Sequence, residues 1–239
     1  MRDCKKVAAV VLAGGRGSRM QSDIPKQYME LCGYPVIYYS LKVFEESFVD
    51  EIILVCGKGD EKYCIDNIIN KYDFKKITRV IEGGKERYHS VMNGLCAIKD
   101  CDIVFIHDGA RPFVNSSILD RAFDDTVMYG NAVVAVPAKD TVKISDDKGF
   151  VTSTPDRSLV WMMQTPQTFY YKDIVKAYEQ LINNEEQLLE EGIKITDDAM
   201  VMEKFSEKSI KLCMGDYRNI KITTPEDILT ARSYLEDIG

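Results

Sequence analysis

Residues 9–20 read A-V-V-L-A-G-G-R-G-S-R-M, and P-K-Q follows at 25–27. The apolar run Val7–Leu12 has the length and composition of a buried strand, and three glycines follow it within four residues. Because glycine has no Cβ, a phosphate chain can lie against its backbone, where consecutive N–H groups form an anion nest. Arg19 and Lys26 add positive charge that suits phosphate. The stretch therefore predicts a strand that opens into a phosphate-binding loop.

The glycine pattern differs from the two best-known phosphate loops. A P-loop requires G-x-x-x-x-G-K-[ST], and no Lys-Ser or Lys-Thr follows the glycines here. A dinucleotide fingerprint requires G-x-G-x-x-G, but Met20 occupies the position of its third glycine. For the glycines alone, an ordinary turn between a strand and a helix is the alternative. The nearby cations favour an anion site over that alternative.

Short apolar runs alternate with amphipathic segments along the rest of the chain. Continuous apolar runs suit strands that are buried on both faces of a parallel sheet. The alternation predicts an α/β fold with an open, doubly wound and mostly parallel sheet. The predicted strands are Val7–Leu12, Glu51–Cys56, Asp102–His107, Ala132–Pro137 and Ser209–Met214, the last leading to 219–222; the predicted helices include 36–46, 63–72, 88–98, 172–182 and 185–191.

One stretch departs from this pattern. Residues 141–154 alternate apolar and polar side chains around Asp-Asp-Lys-Gly at 146–149, which is typical of a β-hairpin. Neither a repeat nor a low-complexity linker divides the chain. We therefore expect a single domain over 1–239 with a projecting β-arm at 138–158. Such an arm must bury its apolar face against some surface. The alternative to an arm that projects away from the domain is one that folds back on its own domain.

Composition excludes several classes of protein. The net charge of −7 argues against general binding of nucleic acids or anionic membranes. No stretch approaches the roughly 18 consecutive apolar residues of a transmembrane helix, and no signal peptide precedes the first strand, so a cytoplasmic location is expected. Seven cysteines without a C-x-x-C pair, together with two histidines, indicate neither a zinc site nor a disulfide framework.

Two further stretches place polar residues where an open α/β sheet binds ligands. The sequence H-D-G-A-R-P at 107–112 brings Asp108 and Arg111 to the end of a buried strand. A local ion pair that stabilises the turn is the alternative explanation, since such pairs are common and weak. The second stretch, G-G-K-E-R-Y-H-S at 83–90, is a glycine turn that opens a helix.

These motifs carry a resemblance to a known family. The motif L-A-G-G-x-G-x-R-M at 12–20, followed by P-K-Q, resembles the signature loop of the sugar-phosphate nucleotidyltransferases. The P-K-Q continuation is similar to the cytidylyltransferases for methylerythritol 4-phosphate and for ribitol 5-phosphate. H-D-G-A-R-P, P-D-R-S at 155–158 and I-T-D-D-A at 195–199 resemble the methylerythritol phosphate branch, whereas L-A-G-G slightly favours the ribitol phosphate branch.

The resemblance implies roles for residues from both ends of the chain. The nucleotide would be CTP, with Mg²⁺ bridging its phosphates, and the β-arm would cross to a second subunit in a homodimer. Lys85 departs from the family, because many members carry an acid or an amide there. The implied contacts with the nucleotide are made by Ala13, Gly14, Gly15 and Gly17 to the triphosphate, by Arg19 and Lys26 to the α-phosphate, and by Gly84, Ser90 and Asp108 to the nucleoside. The implied contacts with the sugar alcohol are made by Asp108, Arg111 and Thr196. The substrate's phosphate would be held by Lys221 at a strand end and by Thr141 and Arg157 of the neighbouring subunit.

The implied reaction is nucleotidyl transfer to a sugar-alcohol phosphate, with release of pyrophosphate. The attacking phosphate is already ionised at neutral pH, so the scarcity of histidine is no obstacle. Three interpretations stay open at this point: a methylerythritol 4-phosphate cytidylyltransferase, an enzyme for ribitol 5-phosphate or another polyol phosphate, and a non-catalytic nucleotide-binding domain.

Overall fold

The computed structural model describes residues 2–15, 20, 22 and 24–236. Within them, strands and helices alternate along the chain. The strands are β1 (Val7–Ala13), β2 (Glu30–Leu31), β3 (Tyr34–Pro35), β4 (Glu51–Cys56), β5 (Ile77–Glu82), β6 (Ile103–Asp108), β7 (Asn131–Pro137), β8 (Ile144–Ser145), β9 (Val151–Ser153), β10 (Trp161–Tyr170) and β11 (Leu212–Met214). The α-helices are α1 (Val36–Glu46), α2 (Glu61–Cys64), α3 (Arg87–Ala97), α4 (Ser116–Tyr129), α5 (Tyr171–Asn183), α6 (Glu185–Glu190), α7 (Asp198–Phe205) and α8 (Pro225–Glu236). A π-helical turn, Ile65–Asn70, continues α2.

The central sheet has seven strands in the order β11-β7-β10-β6-β1-β4-β5. Every neighbouring pair is parallel except the two that involve β10, which runs antiparallel to β6 and β7. The predicted α/β fold with a mostly parallel sheet is confirmed. The sequence pattern did not predict β10, because buried polar residues and a proline interrupt it and its register shifts between Met163 and Gln167.

Strand β1 shows why the predicted strands are continuously apolar. Val7, Ala9 and Val11 face a core layer that includes α1 and α4, whereas Ala8 and Val10 face one that includes α3, α5 and α7. All five side chains are fully buried. Helices on both sides of the sheet therefore remove both faces of β1 from water.

The segment that carries Lys221 differs from its prediction. Strand β11 ends at Met214, and residues 219–222 form no strand, so Lys221 does not lie at a strand end. The backbone of this segment is held instead by Ile222 N, which donates to the Ala110 carbonyl at 2.8 Å. The Asn219 amide also donates to the Thr165 carbonyl at 2.9 Å. Single contacts of this kind leave no periodic pattern in a sequence.

The predicted hairpin is present as β8 and β9, which pair antiparallel. Gly149 closes its turn with a φ of +86°, and the Asp146 carboxylate accepts hydrogen bonds from Lys148 N and Phe150 N. The division into one domain over 1–239 with an arm at 138–158 stays a prediction. Among the helices that the described residues form, none combines the length and the apolar character needed to cross a membrane.

Candidate active site

A cavity of about 520 Å³ opens at the carboxyl ends of β1, β4, β5 and β6. Parallel strands bring the residues that follow them to one edge of the sheet, which is where open α/β sheets bind ligands. The cavity is lined by Leu12, Gly14, Gly15, Lys26, Gln27, Cys56, Gly57, Lys58, Gly83, Gly84, Lys85, Glu86, Arg87, Ser90, Asp108, Ala110 and Lys221.

Glycines form two walls of this cavity because side chains would not fit there. A Cβ on Gly84 would lie 2.3 Å from the Cβ of His89, and a Cβ on Gly83 would lie 2.7 Å from Ser90 Oγ. With glycine present, Gly84 N donates to Ser90 Oγ at 3.0 Å. On the facing wall, a Cβ on Gly14 would lie 3.2 Å from the Cys56 carbonyl oxygen. Packing against the protein's own atoms therefore excludes side chains at these positions, and the bare backbone of both glycine turns lines the cavity.

A single 3₁₀ turn, Lys26–Tyr28, places Lys26 in the cavity wall. Gln27 in the same turn is buried, and its amide donates to the Ala13 carbonyl at the end of β1. Tyr28 is also buried, and its hydroxyl lies 3.1 Å from Cys64 Sγ. These two anchors fix the backbone that carries Lys26 beside the first glycine turn.

Asp108, the last residue of β6, is held by two cations. Lys221 Nζ lies 2.7 Å from Asp108 Oδ2, and Arg87 Nε donates to Asp108 Oδ1 at 3.3 Å. Burial by itself would raise the pKa of Asp108, but Arg87 and Lys221 outweigh it and hold that pKa well below its usual range. Asp108 is therefore ionised throughout the physiological pH range.

Arg87 links this carboxylate to a second, fully buried one. Its two terminal nitrogens donate to the two oxygens of Asp198 at 2.8 Å each, and the Tyr178 hydroxyl donates to Asp198 Oδ1 at 2.6 Å. A planar guanidinium matches a carboxylate in this two-pronged way. This ion pair fixes the start of α7 against the start of α3. Because Arg87 also donates to Asp108, the pair orients the Asp108 carboxylate as well.

The lining of the cavity has a net positive charge although the chain is acidic. It carries five cations and two carboxylates, and the buried Asp198 behind Arg87 offsets one further charge, so positive charge remains in excess. A concave site with excess positive charge and glycine walls suits a polyphosphate ligand. The five cations are Lys26, Lys58, Lys85, Arg87 and Lys221.

His107 precedes Asp108 but points into the protein core. Its Nδ1 lies 3.1 Å from the Thr165 hydroxyl, and its Nε2 lies 3.2 Å from the Arg111 carbonyl oxygen. The Thr165 hydroxyl accepts a hydrogen bond from Asp108 N, so its own proton is available to Nδ1, and Nε2–H then donates to Arg111. Burial lowers the pKa of His107 to about 4, and the ring is neutral at pH 7.

This histidine makes a testable contribution to acid sensitivity. An unfolded histidine titrates near pH 6.5, so between about pH 6.5 and 4 the unfolded chain binds a proton that folded His107 does not. The free energy of unfolding should therefore fall as the pH falls through this range, by about 2 kcal/mol at pH 5. Urea unfolding at pH 7 and pH 5 measures the effect. On acidification, the free energy of unfolding of His107→Gln should fall by about 2 kcal/mol less than that of the unmodified protein. Equal losses in both proteins would contradict this assignment.

The other predicted site residues that the structure describes lie apart from the cavity lining. Arg111 donates to the Asn219 carbonyl at 2.7 Å and to the Met163 carbonyl at 3.2 Å, so it holds the backbone that leads to Lys221. Thr141 and Arg157 are exposed residues of the arm, and Thr196 is exposed just before α7. Gly17 and Arg19 lie outside the described residues. The roles of all these residues stay predictions.

Several residues of the site were not singled out from the sequence. Arg87 and Asp198 are 111 positions apart, and only the fold shows that they pair. Gln27 belongs to the P-K-Q motif, whose pattern gives no sign that its amide holds β1. Lys58 follows β4 in a glycine turn, and its position after a predicted strand is the signal that could have identified it.

Comparison with known proteins identifies the family of the chain. The family model described as 2-C-methyl-D-erythritol 4-phosphate cytidylyltransferase matches residues 7–237. The enzyme of that name from Lachnospira eligens is 50% identical to this chain, over 95% of this chain and 98% of its own length. The enzyme of that name from Lachnoclostridium phytofermentans is 47% identical, over 98% of this chain and 97% of its own length. The crystal structure of 4-diphosphocytidyl-2C-methyl-D-erythritol synthase from Anaerococcus prevotii superimposes with a TM-score of 0.84 at 36% identity, covering 97% of this chain and 96% of that one. The chain belongs to the 2-C-methyl-D-erythritol 4-phosphate cytidylyltransferase family.

Proposed function

We propose that the enzyme joins CTP to 2-C-methyl-D-erythritol 4-phosphate, giving CDP-methylerythritol and pyrophosphate in the non-mevalonate route to isoprenoid precursors. The observation that carries the proposal is the five-cation cavity between two glycine turns, in a chain that matches this family over nearly its whole length. A ligand without negative charge, such as a free polyol, would not account for that concentration of positive charge.

The chemistry needs charge stabilisation more than it needs a base. A phosphate oxygen of the acceptor attacks the α-phosphorus of CTP in line, and pyrophosphate leaves. The second pKa of a phosphate monoester is about 6, so the nucleophile is already ionised at pH 7. The obstacle is the approach of this dianion to a triphosphate, and fixed cations overcome it by positioning and by stabilising the transition state. Lys26 and Arg19 are assigned to the α-phosphate.

Lys221 and Asp108 form the acceptor end of the proposed site. The 2.7 Å ion pair orients Lys221 Nζ towards the cavity, where it can also contact the acceptor phosphate. Ionised Asp108 can accept hydrogen bonds from hydroxyl groups of the sugar alcohol. The backbone around Gly84 and the hydroxyl of Ser90 are assigned to the nucleoside.

Mg²⁺ is proposed to enter with the nucleotide, as the Mg–CTP complex. Within residues 2–15, 20, 22 and 24–236, no group of three or more His, Cys, Asp or Glu side chains is arranged to hold a metal ion. In nucleotide sites Mg²⁺ usually keeps several waters and binds mainly to substrate phosphates. When present, Mg²⁺ neutralises part of the phosphate charge, and the lysines and arginines of the chain neutralise the rest.

The β-arm is proposed to pair two copies of the chain. Ile144, Phe150 and Val151 on the hairpin are 50%, 70% and 59% exposed, and Leu159 after it is 79% exposed. Such a concentration of exposed apolar side chains suits a protein interface. A swapped arm would also bring Thr141 and Arg157 to the neighbouring cavity. The cytoplasmic location stays a prediction.

Replacing Arg157 by alanine should raise the KM for the acceptor phosphate at least tenfold, with little change in the KM for CTP. The reason is that Arg157, whose side chain donates to the Lys139 carbonyl at 3.1 Å in its own chain, is assigned to the acceptor phosphate of the neighbouring site. Steady-state kinetics with each substrate varied measure the split. Lys148→Ala, which removes a cation from the tip of the same hairpin, is the matched control and should leave both constants unchanged.

Mixed dimers test whether the arm is exchanged. Lys26→Ala and Arg157→Ala chains are each impaired alone, but an exchanged arm gives one site in each mixed dimer both intact residues. Mixing the two variants under conditions of subunit exchange should therefore restore activity. No recovery, with mixed dimers demonstrated by mass spectrometry, would contradict an exchanged arm.

Acceptor and nucleotide preference test the proposed function itself. Pyrophosphate release should be at least a hundredfold faster with methylerythritol 4-phosphate than with ribitol 5-phosphate, and faster with CTP than with UTP. A preference for ribitol 5-phosphate would keep the chemistry and overturn the assigned acceptor. CTP binding without pyrophosphate release from any polyol phosphate would indicate a binding domain.

A further inference from the structure

A second cavity, of about 360 Å³, lies behind the second glycine turn. It is bounded by the first turn of α3, the carboxyl end of α5, helix α6 and the loop 192–195. Its volume falls within the range of about 300–1,000 Å³ that small-molecule sites have. The proposed reaction does not use this cavity, and none of the site residues expected from the sequence lines it.

The floor of this cavity is apolar, and two exposed lysines stand at its edge. Leu181 and Leu188 are buried in the floor, and Leu189 at the edge is 63% exposed. The cations Lys85 and Lys194 are both exposed, and neither forms an ion pair within 4 Å with any residue that the structure describes. An apolar body with an anionic head would bury its tail on the floor and pair its head with these lysines.

The two carboxylates of the same lining are already committed. Glu185 accepts hydrogen bonds from the Tyr88 hydroxyl at 2.7 Å and from His89 Nε2 at 3.2 Å. Glu86 caps the start of α3. Because these contacts hold both acids in place, Lys85 and Lys194 are the charged side chains of the lining that remain free to meet a ligand.

The second cavity is physically joined to the first. Lys85 and Glu86 line both of them, and the Glu185 contacts fasten α6 to the turn of α3 that carries Arg87 and Ser90. A head group that engages Lys85 from the second cavity removes one of five cations from the first. Occupancy of one cavity must then change the affinity of the other, by the same factor in both directions.

We propose that the second cavity binds an anionic amphiphile, a short aliphatic chain with a phosphate head group, and that its occupancy weakens CTP binding. The coupling rests on the proposed function, because it requires CTP in the first cavity. Binding of the amphiphile itself does not.

Isothermal titration of the full chain with n-octyl phosphate, below its micelle concentration and without nucleotide, tests the site. The expected result is one ligand per chain, bound at least tenfold more tightly than the neutral n-octyl glucoside. Lys194→Glu and Leu189→Asp should each weaken octyl phosphate at least tenfold, whereas Lys176→Glu, an exposed lysine on α5 outside the cavity, should not. Equal binding of the neutral detergent, or equal effects of Lys194→Glu and Lys176→Glu, would overturn the proposal.

The same titrations with CTP test the coupling. Octyl phosphate should raise the Kd for Mg–CTP about fivefold and then reach a plateau, and Lys194→Glu should abolish this effect. A Kd that rises without limit would mean that octyl phosphate enters the CTP cavity itself, and an unchanged Kd would mean that the cavities are independent; either overturns the proposal. If CTP fails to bind while octyl phosphate behaves as expected, the proposed function fails and the amphiphile site stands.

Discussion

Replacing Lys26 by alanine is expected to lower turnover at saturating substrates by two or more orders of magnitude. Lys26 lies in the wall of the cavity, and Gln27 and Tyr28 anchor its backbone. A fixed ammonium beside the α-phosphate stabilises charge that develops in the transition state, and removing one such contact commonly costs about 10²–10³ in rate. CTP binding should change less, because the other cations and the glycine backbone remain.

Rapid-quench measurement of turnover, with CTP affinity measured separately by calorimetry, separates these two effects. Lys62→Ala is the matched control: it removes an exposed lysine of α2 that does not line the cavity, and it should have normal turnover. Arg19→Ala is expected to behave like Lys26→Ala, on the strength of the motif that contains both residues. Near-normal turnover in Lys26→Ala, with the fold intact, would contradict this mechanism.

Replacing Arg87 by methionine is expected to lower the free energy of unfolding by about 3–5 kcal/mol. Arg87 is the two-pronged partner of Asp198, whose side chain is fully buried. Burial by itself would lower the pKa of Arg87, but Asp198 and Asp108 raise it well above its usual value, so the guanidinium is charged in the folded protein. Its loss leaves a buried carboxylate that keeps the 2.6 Å hydrogen bond from the Tyr178 hydroxyl but has lost the cation paired with it.

Urea unfolding of three further variants makes this prediction specific. Arg121→Met removes an exposed arginine on α4 and should change the free energy of unfolding by less than about 1 kcal/mol. Asp198→Asn added to Arg87→Met removes the uncompensated charge, so the double variant should be more stable than the sum of the two single effects by at least about 1 kcal/mol. A loss below about 1 kcal/mol in Arg87→Met would show that the pair contributes little.

The central strand and its loop could be predicted because their signals are local. Burial on both faces forces continuous apolar residues into β1, and close packing against Cys56 and His89 leaves no room for a side chain at Gly14 and Gly84. The same reasoning placed Asp108 at the end of β6, where the structure has it. Each of these features is encoded within about ten neighbouring residues.

Features that depend on distant contacts could not be predicted in this way. Strand β10 is central in the sheet, yet its Gln164 and Gln167 are buried because they bond to Asp216 and Asp197, far along the chain. Arg87 resembles a solvated charge until Asp198 is placed beside it. The segment before Lys221 resembles a strand in its sequence, but single hydrogen bonds to Ala110 and Thr165 hold it in place of a strand ladder.

The transfer of a labelled oxygen tests the account most directly. Methylerythritol 4-phosphate carrying oxygen-18 in all three non-ester oxygens of its phosphate would be reacted with unlabelled Mg–CTP, and phosphorus NMR would locate the label in the products. If the acceptor phosphate attacks the α-phosphorus, oxygen-18 must occupy the new bridge, shifting both phosphorus resonances of CDP-methylerythritol, and the released pyrophosphate must be unlabelled. Labelled pyrophosphate, or an α-phosphorus resonance without an isotope shift, would contradict the proposed displacement.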